Sequence, residues 1–455
     1  MVKRRLRELL PMVGGAWTGT PAELDRWASG VSTDTRTLMP GALFVPLVGA
    51  RFDGHRFVPE ALKRGASATL WQRDRGIPPG PAIVVEDTLA ALQRLAHAYR
   101  RELGARVVGV TGSNGKTTTK DLIAAVLAQR YRVHKTEGNL NNHIGLPLTL
   151  LSAPADAEVV VCEMGMSGRG EIARLSRIAE PHLAVITTIG EAHLAQLGSR
   201  EAIAEAKLEI VTGLDPEGTL FVDGDEPLLD RAEERFAGTV VRCGFGHRCQ
   251  WRAEDVAFQG LDGMTFRVGN ERYAVPIPGR HNVKNALYAV AVGRTLGLTP
   301  EEIRRGLSGA AITGMRTERV RGIGGVTVLN DAYNASPTSM RASLELLAAL
   351  PFARRVAVLG DMLELGPEEE ALHRDVGRAL DPTRVHWLVT VGPRARWIAE
   401  GAKEAGFPAA RIRCTETPDE AAGVVLPLAD RDTVILVKAS RGMALEELVR
   451  RLTAE

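Results

Sequence analysis

The sequence predicts an α/β protein built from three domains. The chain has 455 residues, enough for two to four domains of about 100–200 residues each. Apolar runs such as RVVGVTG, AEVVVCEMG and HLAVITTIG end in glycine or polar residues and alternate with helical patterns. This is typical of parallel strands buried on both faces. We predict an N-terminal α/β domain, a central, mostly parallel sheet of the P-loop ATPase type and a C-terminal Rossmann-like α/β domain.

Composition excludes several classes of protein. Forty-five per cent of the residues are hydrophobic, 25% are charged and the formal net charge is +2, so no strong field favours nucleic acid or an anionic membrane. No apolar run reaches the roughly 18 residues of a membrane span, and the basic start VKRRLREL is not followed by a signal-type apolar region. The four cysteines have no metal-binding spacing. We expect a cytoplasmic protein with reduced thiols, no nucleic-acid partner and no membrane span.

The first domain is predicted over residues 1–86. Short strands are expected in GALFVPLVG, SATLW and AIVVE, with a helix near Pro59–Arg64. The polar, proline-rich RDRGIPPGP is a loop within this region.

The central domain is predicted over 87–314 and the last over 315–455. The central region begins with the helical pattern TLAALQRLAHAYRREL and continues as alternating strands and helices. Its segment 219–278, rich in glycine and short strands, is expected to be an inserted or edge β region. The last region alternates again through GVTVLNDAY, RRVAVLGDM, VHWLVTVG and DTVILVKAS.

The stretch VVGVTGSNGKTTTKDLIAAVL reads as a strand, a glycine-rich turn and a helix. A Walker A loop would need a glycine where Val110 stands, so the turn is a shortened GxxGKT loop from Gly112 to Thr117. Glycines let several N–H groups face one phosphate, and the following helix adds its positive end. Lys116 can neutralise β/γ-phosphate charge and the Thr117 hydroxyl can bind Mg²⁺. The alternative, a plain glycine turn with a solvated lysine, fits the pattern less well.

Two further polar residues follow strands of the same sheet. Glu163 closes AEVVVCE, and His193 follows AVITTIGEA. The carboxyl ends of parallel strands meet at one edge, so both are expected beside the phosphate loop. Together they can complete a Mg²⁺ site, although oxygen ligands are the usual choice for this ion. Taken alone, His193 would more often be a structural loop histidine.

Lys207 lies in the predicted helix SREAIAEAKLEIVTGL. At helical spacing it shares a face with Ile203, Ile210 and Leu214, where an unpaired ammonium is costly. The pattern leaves two interpretations open. One is a snorkelling lysine or a buried ion pair; the other is a lysine whose charge is changed or paired inside an active site.

Five segments together resemble the Mur ligase family: GVTGSNGKTTTK, EMGMSGRGEIARLSRIAEPHLAVITTIGEAHL, GSREAIAEAKLEI, GRHNVKNALYAVAVG and NDAYNASPTSM. These enzymes form amide bonds at the expense of ATP in the synthesis of peptidoglycan precursors. The first region, VSTDTRTLMPGALFVPLVGARFDGHRFVPEALKRGA, is similar to the uridine-nucleotide domain of two members of the family. The resemblance covers essentially the whole chain.

The resemblance implies site residues. The ATP phosphates would be held by Gly112, Ser113, Asn114, Gly115, Lys116, Thr117 and Thr118. Mg²⁺ would be placed, directly or through water, by Thr117, Glu163 and His193. Lys207 matches a lysine that some members carry as a carbamate able to organise a second Mg²⁺. Asn285 would meet the adenine, Arg316 would approach the nucleotide from a hinge, and Asp331 would bind the ribose. Ser32, Asp34 and Arg36 would hold the uridine end of the other substrate.

The resemblance also implies the reaction. Motifs such as EGNLNNHIG and VLGDMLELG are similar to the member that joins D-Ala-D-Ala to UDP-MurNAc-tripeptide, with ATP and Mg²⁺. We expect a monomer with Lys116, His193 and Lys207 as catalytic residues. The alternatives are a member that adds a single amino acid, a folylpolyglutamate-synthase-like enzyme, or a P-loop module without ligase chemistry. Two motifs depart slightly from the family pattern, since KGSR is Lys438-Ala-Ser-Arg441 here and DSYNANP is Asp331-Ala-Tyr-Asn-Ala-Ser-Pro337.

Overall fold

The central sheet carries the phosphate loop. In the computed structural model, which describes residues 1–453, this sheet is all-parallel. Its seven strands are hydrogen-bonded in the order Trp251–Arg252, Thr239–Gly244, Thr219–Asp223, Leu183–Ile186, Arg106–Thr111, Val159–Glu163 and Val133–Lys135.

The strand before the phosphate loop, Arg106–Thr111, lies inside this sheet. It pairs Val110 with Glu163 on one side and Thr111 with Ile186 on the other. Its apolar residues are buried because helices cover both faces of the sheet. The α-helices of the central region are Thr88–Leu103, Lys116–Leu127, Gly145–Ser152, Glu171–Ala179, Leu194–Leu197, Arg200–Leu208, Ala232–Arg235, Arg280–Thr295 and Pro300–Ser308.

Segment 219–278 is both an edge and an insertion. Its first three strands extend the parallel sheet, whereas Glu254–Phe258, Met264–Val268 and Glu271–Val275 form a separate antiparallel sheet. Phe266 and Tyr273 of this small sheet pack in the same core as the helix Arg280–Thr295. The sequence signalled the short strands but not their division between two sheets.

The first region contains a five-stranded sheet in the order Ala16–Trp17, Ala82–Val85, Ala68–Gln72, Leu43–Phe44 and Val31–Ser32. All neighbours are parallel except the first pair. A two-stranded antiparallel sheet, Lys3–Arg5 with Trp27–Ser29, and the helices Leu6–Val13 and Val58–Lys63 complete it.

The last domain contains a six-stranded sheet in the order Glu318–Arg321, Thr327–Asn330, Thr433–Lys438, Arg354–Gly360, Trp387–Val391 and Ile412–Thr415. Only the edge strand Glu318–Arg321 is antiparallel. Its α-helices are Pro337–Ala349, Glu369–Arg378, Ala395–Glu404, Pro418–Val425 and Glu446–Thr453. The predicted three-domain α/β fold is confirmed.

Short 3₁₀ helices connect many of these elements: Pro21–Asp25, Gly54–Phe57, Arg73–Arg75, Glu209–Thr212, Pro227–Leu229, Gly260–Asp262, Ile323–Gly325, Gly366–Glu368, Ala409–Arg411, Leu426–Leu428 and Arg441–Met443. The predicted helix around Lys207 is therefore an α-helix that ends at Leu208 and tightens into a 3₁₀ turn. Within residues 1–453, no helix combines the length and apolarity that crossing a bilayer requires.

The hydrophobic cores divide the molecule unevenly. One core runs without interruption from Val2 and Leu6 through the helix Thr88–Leu103 to Phe236 of the central region. The last domain has two cores of its own, one on each face of its sheet. The first sheet and the central sheet therefore share buried apolar surface, whereas the last domain is packed largely on itself.

Two helices of the last domain approach each other through glycine. A side chain added at Gly377 would overlap the Ile398 carbonyl, and one added at Gly401 would overlap the Arg374 carbonyl. Gly377 belongs to Glu369–Arg378 and Gly401 to Ala395–Glu404. The close contact between these helices depends on the absence of both side chains.

We predict that Gly377→Ala lowers the free energy of unfolding by about 1–3 kcal/mol, because the helices must separate to admit a methyl group. Gly423→Ala is the matched control: it lies inside the helix Pro418–Val425 with no atom within 4 Å of an added Cβ. That change is expected to stabilise the protein by roughly 0.4–1 kcal/mol. Urea unfolding followed by circular dichroism measures both, and equal effects would contradict this account of the helix contact.

Candidate active site

The phosphate loop forms the floor of a cavity of about 400 Å³ between the central and last domains. Gly112 and Gly115 have φ values of +145° and +79°, which other residues rarely adopt. The helix Lys116–Leu127 begins directly after Gly115, so its first N–H groups face the cavity. Ser113 Oγ and Asn114 Nδ2 are buried without a hydrogen-bond partner among residues 1–453. A loop with unused donors at a helix N-terminus fits an anionic phosphate.

The loop is attached to the end of the neighbouring strand. Ser113 N donates to the Thr188 carbonyl at 2.8 Å. The Thr187 hydroxyl donates to the Asn114 carbonyl at 2.5 Å, and Asn114 N donates to Thr188 Oγ1 at 3.2 Å. The residues that follow Leu183–Ile186 therefore fix the shape of the phosphate loop.

Lys116 folds back over its own loop, where Nζ donates to the Gly112 carbonyl at 2.8 Å. Burial lowers the pKa of its ammonium, the nearby Glu163 carboxylate raises it and Arg316 lowers it. These carbonyl contacts are weak competitors for a phosphate oxygen, since a charged acceptor makes the stronger hydrogen bond.

Glu163 lies at the edge of the same cavity and is 2% exposed. Its Oε1 accepts a hydrogen bond from Asn141 Nδ2 at 2.8 Å, whereas its Oε2 has no partner among residues 1–453. A buried carboxylate oxygen left free in this way is costly unless a cation or donor binds it. The site therefore fits a hard cation such as Mg²⁺, with Thr117 on the adjacent helix turn. In the described part of the chain, no cluster of three or more His, Cys, Asp and Glu side chains is arranged for a metal.

His193 lines the cavity as expected, but its ring is already engaged. Its Nδ1 lies 2.7 Å from Glu364 Oε2 of the last domain. Burial lowers the pKa of the imidazole, as do the charges of Lys116 and Lys207, while Glu364 raises it. His193 therefore sits where two domains meet, and its part in holding Mg²⁺ stays a prediction.

Lys207 is 1% exposed and forms no ion pair within residues 1–453. Ile203, Ile210 and Leu214 are buried beside it, as the helical pattern predicted. Burial lowers the pKa of its ammonium well below the ordinary value and the charge of Lys116 lowers it further, against the opposing effect of Glu171 and Glu209. The burial of Lys207 contradicts its interpretation as a snorkelling lysine, while its role in the site stays a prediction.

The residues predicted to meet the nucleoside also line the cavity. Asn285 is held by Thr119 Oγ1, which donates to its Oδ1 at 3.1 Å, and by Asn282 Oδ1, which accepts from its Nδ2 at 2.9 Å. The Arg316 guanidinium stacks on the Tyr333 ring at 4.0 Å from the centroid, and its Nε has no partner among residues 1–453. Met315 and Thr317 on either side of it have positive φ values, which mark a tight linker between the domains.

Asp331 is bound inside the last domain. Its Oδ2 accepts from Lys438 Nζ at 2.5 Å and from Ser343 Oγ at 2.8 Å, and its Oδ1 accepts from Thr317 N at 3.1 Å. A ribose hydroxyl would therefore join or displace these partners. Burial lowers the pKa of the neighbouring His281 to about 4, against the opposing effect of Asp331.

Ser32, Asp34 and Arg36 lie apart from this group. Ser32 and Asp34 line a second cavity of about 220 Å³, together with Leu140, Leu148 and Ser152 of the central region. Hydrogen bonds from Arg36 lower the pKa of the Asp34 carboxyl to about 2, while Arg36 itself is largely exposed.

Two residues of the site were missed from the sequence. Asn141 holds Glu163, and its loop connects the two cavities because Leu140 lines one while Asn141 and Asn142 line the other. Glu191 binds the last domain through Thr338. The available signal was position, since both residues follow strands of the central sheet at the edge that carries the phosphate loop.

Comparisons with known proteins agree with this geometry. Three family models match the chain: the Mur ligase family catalytic domain at residues 28–100, the Mur ligase middle domain at 110–293 and the Mur ligase glutamate ligase domain at 315–441. The UDP-N-acetylmuramoyl-tripeptide–D-alanyl-D-alanine ligase of Bacillus subtilis is 48% identical over 99% of both chains.

Solved structures give the same result. MurF from Acinetobacter baumannii has a TM-score of 0.89 and 29% identity over 99% of both chains. MurF from Thermotoga maritima in complex with ADP has a TM-score of 0.83 and 29% identity, covering 93% of this chain and 97% of that one.

A phosphate loop on a parallel sheet, facing a buried carboxylate and covered by a further α/β domain, defines a nucleotide-dependent enzyme. The family models and the Bacillus subtilis relative, which together match most of the chain, identify the class of enzyme. The chain belongs to the Mur ligase family, and it is a ligase.

We predict that Gly115→Ala weakens ADP binding by roughly 5- to 150-fold, because the added Cβ would lie 2.5 Å from Asn285 Oδ1 and one overpacked contact costs roughly 1–3 kcal/mol. Gly406→Ala is the control, since its φ of +89° imposes similar backbone strain with no atom within 4 Å. Calorimetric titration with ADP measures both variants. Equal affinities would show that the contact between the loop and Asn285 is unimportant for nucleotide binding.

Proposed function

We propose that this chain joins D-Ala-D-Ala to UDP-MurNAc-tripeptide, forming UDP-MurNAc-pentapeptide, ADP and phosphate. The observation that carries the proposal is full-length similarity, at 48% identity, to a relative bearing the name of this activity. The site agrees with it, because a phosphate loop and a free carboxylate oxygen face one cavity and a loop connects that cavity to a second one.

The reaction requires activation of a carboxylate. The terminal carboxylate oxygen of the tripeptide attacks the γ-phosphorus of ATP, and the bond from this phosphorus to the β,γ-bridging oxygen breaks. ADP departs, and the tripeptide becomes an acyl phosphate. The amine of D-Ala-D-Ala then attacks the carbonyl carbon, the carbon–oxygen bond to phosphate breaks, and the amine loses a proton. The phosphate of ATP thus serves to create a leaving group.

The main barrier in the first step is repulsion between two anions. Lys116 and the N-terminus of the helix Lys116–Leu127 offset the charge of the phosphates. Thr117, Glu163 and His193 are the residues that would hold Mg²⁺, directly or through water. When bound, Mg²⁺ neutralises phosphate charge and orients the phosphoryl group.

Three regions would each bring one substrate. We assign the uridine nucleotide to residues 1–86 through Ser32, Asp34 and Arg36, and ATP to 87–314. We assign D-Ala-D-Ala to 315–455. Asn285, Arg316 and Asp331 are the proposed nucleoside contacts. An acyl phosphate hydrolyses in water, so contact between the last two domains protects the intermediate.

Lys207 is proposed to act as a carbamate. The unprotonated Nζ of Lys207 would attack the carbon of CO2, forming a nitrogen–carbon bond, and the nitrogen would release a proton. Burial favours the unprotonated amine by lowering the pKa of Lys207. The product is an anion, which would be attracted by the charge of Lys116 and repelled by those of Glu171 and Glu209. The change would convert an unfavourable buried cation into a partner for the cationic site.

The first test measures phosphate release and product mass with ATP, Mg²⁺ and UDP-MurNAc-tripeptide. We expect release to require D-Ala-D-Ala and to yield the pentapeptide, and we expect no turnover with Lys116→Ala. If a single amino acid serves as acceptor instead, the chain is another member of the family, such as MurE. If ATP turns over equally without either substrate, the proposed function is wrong.

A second test concerns Lys207. Lys207→Ala is expected to lower the rate by roughly a hundredfold, the scale of losing one charge-stabilising group. A short carboxylic acid such as acetate should restore part of the rate, whereas bicarbonate should restore little. Lys403→Ala changes an exposed lysine and should have no effect under any condition. An unchanged rate for Lys207→Ala would remove the carbamate role.

A further inference from the structure

The segment that follows the strand Leu183–Ile186 contacts two parts of the molecule at once. On one side, Thr187 and Thr188 hold the backbone of the phosphate loop at Ser113 and Asn114. On the other side, residues 191–195 contact the last domain. Fewer than ten residues thus separate the group that shapes the phosphate loop from the group that meets the next domain.

Glu191 makes the most extensive of these domain contacts. The residue is 8% exposed. Thr338 N donates to Oε2 at 3.2 Å, Thr338 Oγ1 donates to the same oxygen at 2.7 Å, and Arg341 donates to Oε1 at 3.4 Å. Thr338 stands in the first turn of the helix Pro337–Ala349, after the capping residue Ser336. A carboxylate at that place accepts a hydrogen bond from a free N–H group and interacts favourably with the positive end of the helix dipole.

The same helix also touches the phosphate loop directly. Ser336 Oγ donates to Asn114 Oδ1 at 3.2 Å. Gly190, next to Glu191, lies against Asn114, since an added Cβ would be 3.1 Å from Asn114 Nδ2. Thr338 also lines the wall of the nucleotide cavity. The loop, Glu191 and the start of the helix therefore form one contiguous set of contacts.

We propose that Glu191 is a positioning residue that docks the last domain onto the phosphate loop by binding the first turn of the helix Pro337–Ala349. The inference rests on the proposed function, because docking matters only if the last domain delivers groups to the reaction. Arg316, Asp331 and Lys438 belong to the linker or the last domain and line the cavity in this arrangement.

A positioning role predicts a particular kinetic pattern. The phosphate loop, Glu163 and Asn285 lie on the central region, whereas Arg316 and Asp331 belong to the linker and the last domain. Loss of docking should therefore lower kcat and also weaken the binding of ADP, because two of the three proposed nucleoside contacts are released with the last domain. A residue that served only to stabilise the fold would instead lower the melting temperature and leave kcat and the radius of gyration of the folded protein unchanged.

The test replaces Glu191 by Gln, which keeps the shape and removes the charge. We expect kcat for pentapeptide formation to fall about tenfold, the scale of one charge-assisted hydrogen bond. The Kd for ADP should rise in the same variant, because Arg316 and Asp331 are proposed nucleoside contacts. Small-angle X-ray scattering with ADP and Mg²⁺ should give a larger radius of gyration for Glu191→Gln than for the wild type.

Two further variants sharpen the result. Thr338→Val removes the hydroxyl that Glu191 binds, and the double variant should be no slower than Glu191→Gln alone, because contacting residues do not add. Thr338→Val also serves if Glu191→Gln does not fold. Glu217→Gln is the control, since Glu217 is exposed and its side chain forms no hydrogen bond or ion pair within residues 1–453.

The outcomes separate cleanly. An unchanged kcat for Glu191→Gln, or a lower kcat with an unchanged radius of gyration, overturns the docking role. Purely additive effects of Glu191→Gln and Thr338→Val overturn the contact as its cause. If the wild type forms no pentapeptide, the proposed function fails instead, and the scattering comparison still decides whether Glu191 docks the domain.

Discussion

The carboxyl ends of parallel strands meet along one edge of a sheet, and the rest of this active site depends on that constraint. Arg106–Thr111 lies between Leu183–Ile186 and Val159–Glu163. The phosphate loop, the carboxylate of Glu163 and the Thr187–Thr188 pair are therefore neighbours although they are far apart in sequence. Each reaches the cavity simply by following its strand. The two outer domains then need only to face this edge.

Charge is distributed unevenly around that edge. The cavity is lined by four basic side chains, Lys116, Lys284, Arg316 and Lys438, and by three carboxylates, Glu163, Glu171 and Asp331. Burial lowers the pKa of Lys116 and of Lys207, and the charge of Lys116 lowers the pKa of Lys207 further. Glu163 supplies one free oxygen. Such a site is poorly balanced by itself, because buried charges are costly without partners. The charge of the cavity becomes balanced when an anionic substrate and a cation bind together, so the binding of the substrate is linked to the binding of the cation.

Local pattern was sufficient for much of this structure. The helix Thr88–Leu103, the phosphate loop and the buried strands follow directly from apolar runs and glycine spacing. The burial of Lys207 also followed from helical periodicity. The contacts of Asn141 with Glu163 and of Glu191 with Thr338 could not be predicted in this way. They join residues 22 and 147 positions apart, and pairing over such distances depends on how whole domains pack. The roles of Asn285, Arg316 and Asp331 stay predictions, although all three line the cavity.

The core that the first region shares with the central sheet has a consequence for how the protein loses its structure. Because one apolar cluster runs from Val2 to Phe236, the first two regions should melt as a single cooperative unit. The last domain keeps separate cores and is free to unfold on its own. Heat-induced unfolding would then proceed in two stages, and damage at the amino terminus would spread into the nucleotide site while leaving the carboxyl-terminal sheet folded.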